Sequence, residues 1–211
     1  EDDQFEIKIE EKSGRKFLIP TAEVILTNIV RDKIININDF PMRFVALTPC
    51  FRKEAGSWGA HVRGLNRLHQ FDKVEIVHIE KQSDSEEALE SMCNYVESLI
   101  RSLNISYRKL LLCAGDLGFA SSITYDFEVY APGQERWLEC SSVSNFKTYQ
   151  SNRMNLKIRE DKNKVLAHTL NGSALALPRI VASILETHQN GNEINIPEVL
   201  HSYTGFKKIS I

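Results

Sequence analysis

The sequence predicts an α+β domain in which helices flank a mainly antiparallel β-sheet. Alternating apolar and polar residues form the paired segments 123–129 and 136–142, which the turn dipeptide Pro132-Gly133 separates. Apolar residues repeat at helical spacing between Ser83 and Asn104, with Ser83 and Glu86 in a capping-box pattern. No long linker or low-complexity tract divides the 211 residues. We therefore expect residues 1–211 to form a single domain.

The chain opens with a predicted hairpin and a short helix. Phe5, Ile7 and Ile9 alternate with polar residues, and Ser13-Gly14 interrupts the pattern before the apolar residues 17–19. Residues 21–30 have helical spacing, which predicts a helix with polar residues at its N-terminus.

A last helix is predicted over residues 174–189. Asn190-Gly191 provides its stop signal, and Pro178 is expected to make the helix irregular.

Composition limits the classes of function. The 26 basic and 28 acidic residues give a formal charge of −2, so any nucleic-acid binding requires a local basic patch. The four widely spaced cysteines fit neither a disulfide scaffold nor a short-spaced zinc site, and we expect buried free thiols. No apolar run approaches the ~20 residues of a membrane span. Glu1-Asp2-Asp3 does not resemble a signal peptide, so a cytoplasmic location is predicted.

The most informative stretch is a predicted hairpin with an unusually polar face. Residues 43–52 form its outgoing strand, 55–64 a loop with three glycines, and 65–80 its return strand. Alternation places these return-strand residues on one face: Arg67, His69, Phe71, Lys73 and Glu75. Arg52 and Glu54 share a face at the end of the outgoing strand. This combination suits a nucleotide bound beside an anionic group, although a solvated face with cross-strand ion pairs has the same alternation.

Two motifs carry a resemblance to a known family. Phe51-Arg52-Lys53-Glu54 with residues 67–75 resembles motif 2 of class II aminoacyl-tRNA synthetases in its seryl form. Residues 172–179, where a glycine precedes a helix with an arginine, resemble motif 3. Segments 18–23, 115–119, 139–142 and 168–173 are also similar to seryl enzymes. The resemblance implies that residues 1–211 are a single class II catalytic domain.

The resemblance implies a role for each matching residue. Arg52 would bind the α-phosphate and the activated carboxylate, and Arg179 the γ-phosphate, as the catalytic pair. The implied serine site is Thr21, Glu23, Arg52, Glu75, Asn171 and Ser173. The implied ATP site is Arg52, Glu54, Arg67, Leu68, Phe71, Glu139, Ser142 and Arg179, with Phe71 stacked on adenine. Glu139 and Ser142 would also bind a magnesium ion that accompanies ATP, and no zinc is expected.

The implied reaction is the activation of L-serine with ATP, followed by transfer to the 3′ end of tRNA(Ser). The attacking carboxylate is already ionised, so arginines and Mg²⁺ need only align reactants and offset charge. The intact enzyme is expected to be a homodimer with no membrane association. Motif 1 and the helical tRNA-binding arm would precede residue 1 and are not among these 211 residues.

Several alternatives stay open. One alternative is a serine-activating relative without the arm that loads a carrier protein. Such relatives resemble the atypical zinc-dependent seryl group, and the isolated cysteines disfavour this alternative. A catalytically silent paralogue would be expected to lose Arg52 or Arg179. Threonyl and prolyl enzymes are disfavoured by Thr21-Ala22-Glu23 and by residues 169–173. Among single residues, Arg67 and Lys73 are alternatively cross-strand partners, Trp58 an anchor or a packing residue, and His69 and His168 structural core histidines.

Overall fold

A computed structural model describes residues 3–8, 14–55 and 64–211. Its strands are β1 Glu6–Ile7, β2 Lys16–Phe17, β3 Ile34–Asn36, β4 Met42–Phe51, β5 Gln70–Glu80, β6 Tyr107–Leu111, β7 Ile123–Ala131, β8 Arg136–Lys147, β9 Lys157–Glu160, β10 Asn163–Leu166, β11 His168–Ala176, β12 Gln189–Asn190, β13 Glu193–Asn195 and β14 Lys208–Ser210. Its helices are α1 Glu23–Asn28, α2 Ser85–Ser102, α3 Tyr149–Arg153, α4 Leu177–Thr187 and α5 His201–Thr204.

A six-stranded sheet organises the fold, with the strand order β4-β5-β11-β8-β7-β6. Every neighbouring pair in this sheet is antiparallel. Among the described strands, the one parallel pair is β3 with β9, in a small separate sheet. The predicted α+β class with a mainly antiparallel sheet is therefore confirmed, as are the hairpins β1–β2 and β7–β8.

The β4–β5 hairpin is continuous from the pair Met42↔Ile79 to the pair Phe51↔Gln70. The predicted return strand began too early, because Gly64–Asn66 form a 3₁₀ turn and the strand begins at Gln70. Arg67 and His69 therefore lie before the strand, and the predicted strand alternation does not apply to them. Most of the predicted glycine loop, with Trp58, lies outside the described residues, as do Ile9 and Ser13.

Helix α2 covers one face of the large sheet. Its apolar stripe, with Ala88, Leu89, Met92, Cys93, Val96 and Ile100 buried, packs against β8 and β11. The long amphipathic helix is confirmed, but the capping box is not formed. Asp84 occupies the N-cap without a side-chain bond, and the Ser83 hydroxyl donates to the Asp84 carboxylate instead.

A second apolar cluster lies on the opposite face, beneath α1. It joins Leu26 and Val30 to Val77 and Ile79 of β5, whereas Ile76, whose side chain points to the other face of the strand, packs against the α2 cluster. One half of β5 is thus covered on both faces. The other half, from Phe71 to Glu75, is left for polar side chains on the face opposite α2.

The predicted last helix began too early. Strand β11 continues to Ala176, and α4 begins at Leu177. Pro178 therefore lies in the first helical turn, where its missing N–H would have had no intrahelical acceptor. The expected irregularity is absent for that reason.

All four cysteines are free thiols. Cys50, Cys93 and Cys140 are buried as expected, whereas Cys113 is exposed, so the prediction is wrong for this residue. Within the described residues, no helix combines the length and apolarity needed to cross a membrane.

Replacing Gly172 by alanine should destabilise the sheet where it meets α2. An added Cβ would lie 3.0 Å from Val143 Cγ2 and 3.4 Å from Met92 Cε in the packed core. Overpacking predicts a loss of about 1–3 kcal/mol in the free energy of unfolding. Gly115→Ala is the control, because its Cβ would meet only the Cys113 sulfur at 3.9 Å. Urea unfolding of both variants measures the difference, and equal stability would contradict the packing described here.

Candidate active site

A polar cleft opens on the sheet face opposite α2. Arginines, an aromatic ring and carboxylates are among the residues that line it. The described residues of the lining are Arg52, Glu54, Leu65, Asn66, Arg67, Leu68, Phe71, Lys73, Glu139, Cys140, Ser141, Ser173, Ala176, Pro178 and Arg179. The cleft contains every residue of the predicted ATP site except Ser142.

Arg52 is positioned where the β4–β5 hairpin ends. Its backbone N–H donates to the His69 carbonyl at 2.9 Å, which extends the hairpin ladder by one bond. The side-chain Nε donates to the Pro20 carbonyl at 3.3 Å. The guanidinium carbon lies 5.4 Å from the centroid of the Phe71 ring, within cation–π range. Arg52 is therefore held against Phe71, with further N–H donors available to a ligand.

Glu54 and Arg67, which both line the cleft, form an ion pair. Glu54 has a backbone φ of +56°, a left-handed conformation that is uncommon for glutamate. Its side chain is the more buried of the two, at 17% exposure against 37% for Arg67. The pair therefore joins the two ends of the loop that follows β4.

Arg179 enters the cleft from the first turn of α4. Its Nη1 donates to the Glu139 carbonyl at 2.6 Å, and its Nε donates to the Asn66 carbonyl at 3.2 Å. The Asn66 amide in turn donates to Gln134, in the turn between β7 and β8. Backbone carbonyls from two separate segments thus fix the guanidinium, which is suited to anions.

A buried ion pair adjoins the cleft, which Lys73 lines. We call this pair and its hydrogen-bond partners the floor of the cleft. Lys73 Nζ lies 2.5 Å from Glu75 Oε2, and their side chains are only 9% and 1% exposed. Thr21 donates to Glu75 Oε2 at 2.8 Å, and Asn171 donates to Oε1 at 2.8 Å. Lys73 also donates to Thr21 Oγ1 at 2.9 Å. The predicted serine residues Thr21, Glu75 and Asn171 are thus brought together in one network.

Glu23 and Ser173 lie beside this network. Ser173 is paired with Glu75 across β11 and β5 and also lines the cleft. Gln150 of α3 donates to the Glu23 carboxylate at 2.7 Å and accepts from Thr169 at 2.7 Å. Burial raises the pKa of Glu23, the Gln150 bond opposes this shift, and the nearby Glu75 charge adds to it.

Glu139 and Ser142 belong to a second polar region on the same sheet face. The register pairs Glu139 with Glu128 and Ser142 with Asp126, across a bulge that keeps all four on one side. Burial raises the pKa of Asp126 to about 6; its bond with Ser142 opposes this, and Glu139, Glu128 and Asp116 add to it. Asp126 Oδ1 is buried without a hydrogen-bond partner.

This oxygen-rich, negatively charged region fits a divalent cation. Within the described part of the chain, no three His, Cys, Asp or Glu residues are arranged as a complete metal site. An incomplete set of protein ligands is compatible with Mg²⁺, because this ion is commonly bound by one or two protein carboxylates together with substrate phosphates.

Sequence patterns missed two residues of the site, Gln150 and Asp126. Lys73 is placed on the polar face by strand alternation and is a buried partner of Glu75 on the same strand, so the cross-strand pair considered as its alternative is not what the structure contains. Gln150 lies in a five-residue helix without an amphipathic signal, and Asp126 lies in an ordinary alternating strand. His168 is a buried structural histidine bonded to Ser85, as expected. His69 is exposed and packs edge-on against Phe5, so its prediction as a core residue is wrong.

Comparison with known proteins connects this geometry to a family. Residues 5–188 match the model of the tRNA synthetase class II core domain (G, H, P, S and T). The chain is 53% identical over 189 residues to a serine–tRNA ligase of Methylacidiphilum infernorum, covering 89% of the chain and 45% of the relative. It is 51% identical over 194 residues to a serine–tRNA ligase of Salinibacter ruber, covering 90% and 45%. The chain thus spans about half the length of the curated relatives it matches.

A solved structure matches as well. The seryl-tRNA synthetase of Pyrococcus horikoshii complexed with ATP superposes with a TM-score of 0.92 at 39% identity, covering 99% of this chain and 46% of that one. The predicted class II catalytic fold and the resemblance to the seryl group are therefore confirmed.

Removing the positive charge of Lys73 should strongly destabilise the fold. Lys73→Met leaves the Glu75 carboxylate buried without its counter-ion, which typically costs about 3–5 kcal/mol. Lys208→Met is the matched control, because Lys208 pairs with Glu193 at 2.7 Å while both side chains are about half exposed. The control should change stability by less than about 1 kcal/mol. Similar urea midpoints for the two variants would contradict a structural role for the buried pair.

Proposed function

Because this chain belongs to the tRNA synthetase class II core family, we propose that it activates L-serine with ATP and transfers the seryl group to the 3′ end of tRNA(Ser). The observation that carries the proposal is the arrangement of two anchored arginines around a cleft that adjoins a buried network of charged and hydroxyl groups. The similarity to serine–tRNA ligases supports serine as the amino acid.

The first step requires positioning and charge compensation. A serine carboxylate oxygen attacks the α-phosphorus, the bond to the bridging oxygen breaks, and pyrophosphate leaves with that electron pair. In the proposed reaction Arg52 would bind the α-phosphate and the attacking carboxylate, and Arg179 would bind the γ-phosphate. Both guanidiniums are held before substrate arrives, so little reorganisation accompanies the transition state.

In the second step the terminal ribose hydroxyl of the tRNA attacks the seryl carbonyl carbon. The bond to the phosphate oxygen breaks, AMP leaves, and the hydroxyl proton is released. Arg52 beside the α-phosphate offsets the charge that remains on AMP.

The pocket beside the cleft is suited to a small polar amino acid. Hydrogen bonds discriminate a hydroxyl far better than a hydrophobic slot can. Thr21, Glu23, Asn171 and Ser173 surround Glu75, whose two oxygens already accept from three donors. A carboxylate has about four lone-pair sites, so Glu75 retains capacity for the substrate ammonium.

Glu139 and Ser142 would hold Mg²⁺ with ATP, and Phe71 would stack on adenine near Glu54, Arg67 and Leu68. The ion would supply additional neutralisation of phosphate charge. The buried, unpartnered Asp126 oxygen beside Ser142 supports a cation there. We further propose that residues 1–211 act as one catalytic domain of a cytoplasmic protein that is a homodimer when intact.

Arg52→Ala and Arg179→Ala should each lower serine-dependent ATP–pyrophosphate exchange by about 10²–10³-fold, the scale for removing one preorganised charge-stabilising group. Arg43→Ala is the control, because Arg43 is an exposed residue of β4 outside the cleft lining. Circular dichroism would verify folding of all three. Near-normal exchange in either cleft variant would contradict the proposal.

A further inference from the structure

We propose that Gln150 is a positioning residue for serine binding: its side-chain amide, fixed by Thr169, holds the Glu23 carboxylate as a hydrogen-bond acceptor for the amino acid. The inference rests on the proposed function and gives a role to two residues outside the implied serine and ATP sites. The Gln150 relay, as we call it, runs from Thr169 through Gln150 to Glu23 and joins β11, α3 and the first residue of α1.

The relay has two short bonds and a buried anchor. The Thr169 hydroxyl donates to Gln150 Oε1 at 2.7 Å, and Gln150 Nε2 donates to Glu23 Oε1 at 2.7 Å. Thr169 is 0% exposed and is paired with Lys147 of β8 and with Ile79 of β5. Both ends of the Gln150 amide are therefore bonded, which fixes where the amide lies.

The backbone that carries Gln150 is held as well. The next residue, Ser151, is fully buried, and its hydroxyl lies 2.6 Å from the Ala167 carbonyl and 3.1 Å from the Thr148 carbonyl. Ala167 comes directly before β11. The short helix α3 is thus fastened to the segment that leads into Thr169, so the two relay residues keep their spacing.

The proton on Glu23 decides which way the Gln150 amide points. An ionised carboxylate only accepts hydrogen bonds, so it requires the amide nitrogen on its side. The Thr169 hydroxyl then donates to the amide oxygen. A protonated Glu23 is able to donate to the amide oxygen instead, and the amide would turn its nitrogen toward Thr169. The order of donors in the structure is the one that an ionised Glu23 requires.

The surroundings of Glu23 explain why this donor matters. Burial raises the pKa of Glu23, the Gln150 bond lowers it, the charge of Glu75 raises it and that of Lys73 lowers it. Lys73 is itself paired with Glu75 at 2.5 Å, in the floor of the cleft. Two carboxylates and one ammonium leave one negative charge in excess, which suits the ammonium group of an amino acid. Without the amide donor, Glu23 would hold a proton more readily and accept from serine less well.

Serine-dependent ATP–pyrophosphate exchange separates this role from a structural one. Gln150→Met keeps the length of the side chain and should raise the KM for serine at least about tenfold, because serine loses a charged acceptor. The kcat and the KM for ATP should stay near the parent values, as for a group that binds substrate and transition state equally. Loss of folded protein would instead lower kcat and leave the KM for serine unchanged.

The pH profile and a matched control extend this test. In Gln150→Met the acidic limb of kcat/KM for serine should move to higher pH, because Glu23 keeps its proton to higher pH. Gln82→Met should leave both KM values and the profile unchanged, since the exposed Gln82 donates only to the Leu166 carbonyl, at 2.9 Å.

A second pair of variants tests the anchor of the relay. Thr169→Val keeps the shape of the side chain but frees the Gln150 amide to turn, so the KM for serine should rise. Thr169→Ser keeps the hydroxyl and should recover most of the lost affinity. This pair decides the matter if Gln150→Met does not fold.

A carbon-13 NMR titration of the Glu23 carboxylate measures the relay without using activity, with Glu23→Gln to assign the signal. The titration should move to higher pH in Thr169→Val and Gln150→Met and stay in place in Gln82→Met. An unchanged KM for serine in both relay variants of an active parent chain would overturn the positioning role and leave the proposed function intact. No serine-dependent exchange by the parent chain would overturn the proposed function. The hold of Gln150 on Glu23 would then be supported by a shifted titration and overturned by an unshifted one.

Discussion

The site depends on one buried ion pair, between Lys73 and Glu75 in the middle of β5. Burying these two charges costs desolvation energy. Hydrogen bonds to Glu75 from Thr21, in the loop before α1, and from Asn171, in β11, help to offset that cost. Three segments distant in sequence are thereby held at fixed positions. The side chains of the pair are only 9% and 1% exposed, so little water competes for these polar bonds and they are strong.

The two arginines of the cleft are held in place by a different kind of interaction. Backbone carbonyls, rather than carboxylates, hold Arg52 and Arg179 in place. A carbonyl orients a guanidinium without neutralising its charge, so both side chains keep their attraction for phosphate. In the proposed function the two parts of the site would serve separate purposes: the buried charged network would bind the small zwitterion, and the arginines would bind the polyphosphate.

Local patterns predicted the hairpins β1–β2, β4–β5 and β7–β8 and the helices α1, α2 and α4, and long-range interactions decided much of what they missed. The β7–β8 hairpin and the amphipathic α2 follow from Pro132-Gly133 and from helical spacing. Arg52, Phe71, Glu139 and Arg179, which motif resemblance assigns to one nucleotide site, all line one cleft. Gln150 was missed because its bond to Glu23 joins residues 127 positions apart. The early starts predicted for β5 and α4 have the same origin, since pairing with distant strands fixes where each strand begins or ends.

The central claim is that this cleft activates serine, and a substrate panel in ATP–pyrophosphate exchange tests it most directly. Exchange is measured with serine, threonine, proline and alanine in turn, using this chain, ATP and labelled pyrophosphate under identical conditions. A pocket with buried hydrogen-bonding groups predicts exchange with serine and exchange lower by at least about 10²-fold with alanine, which lacks the hydroxyl. Exchange with threonine, proline or alanine equal to that with serine would contradict the account.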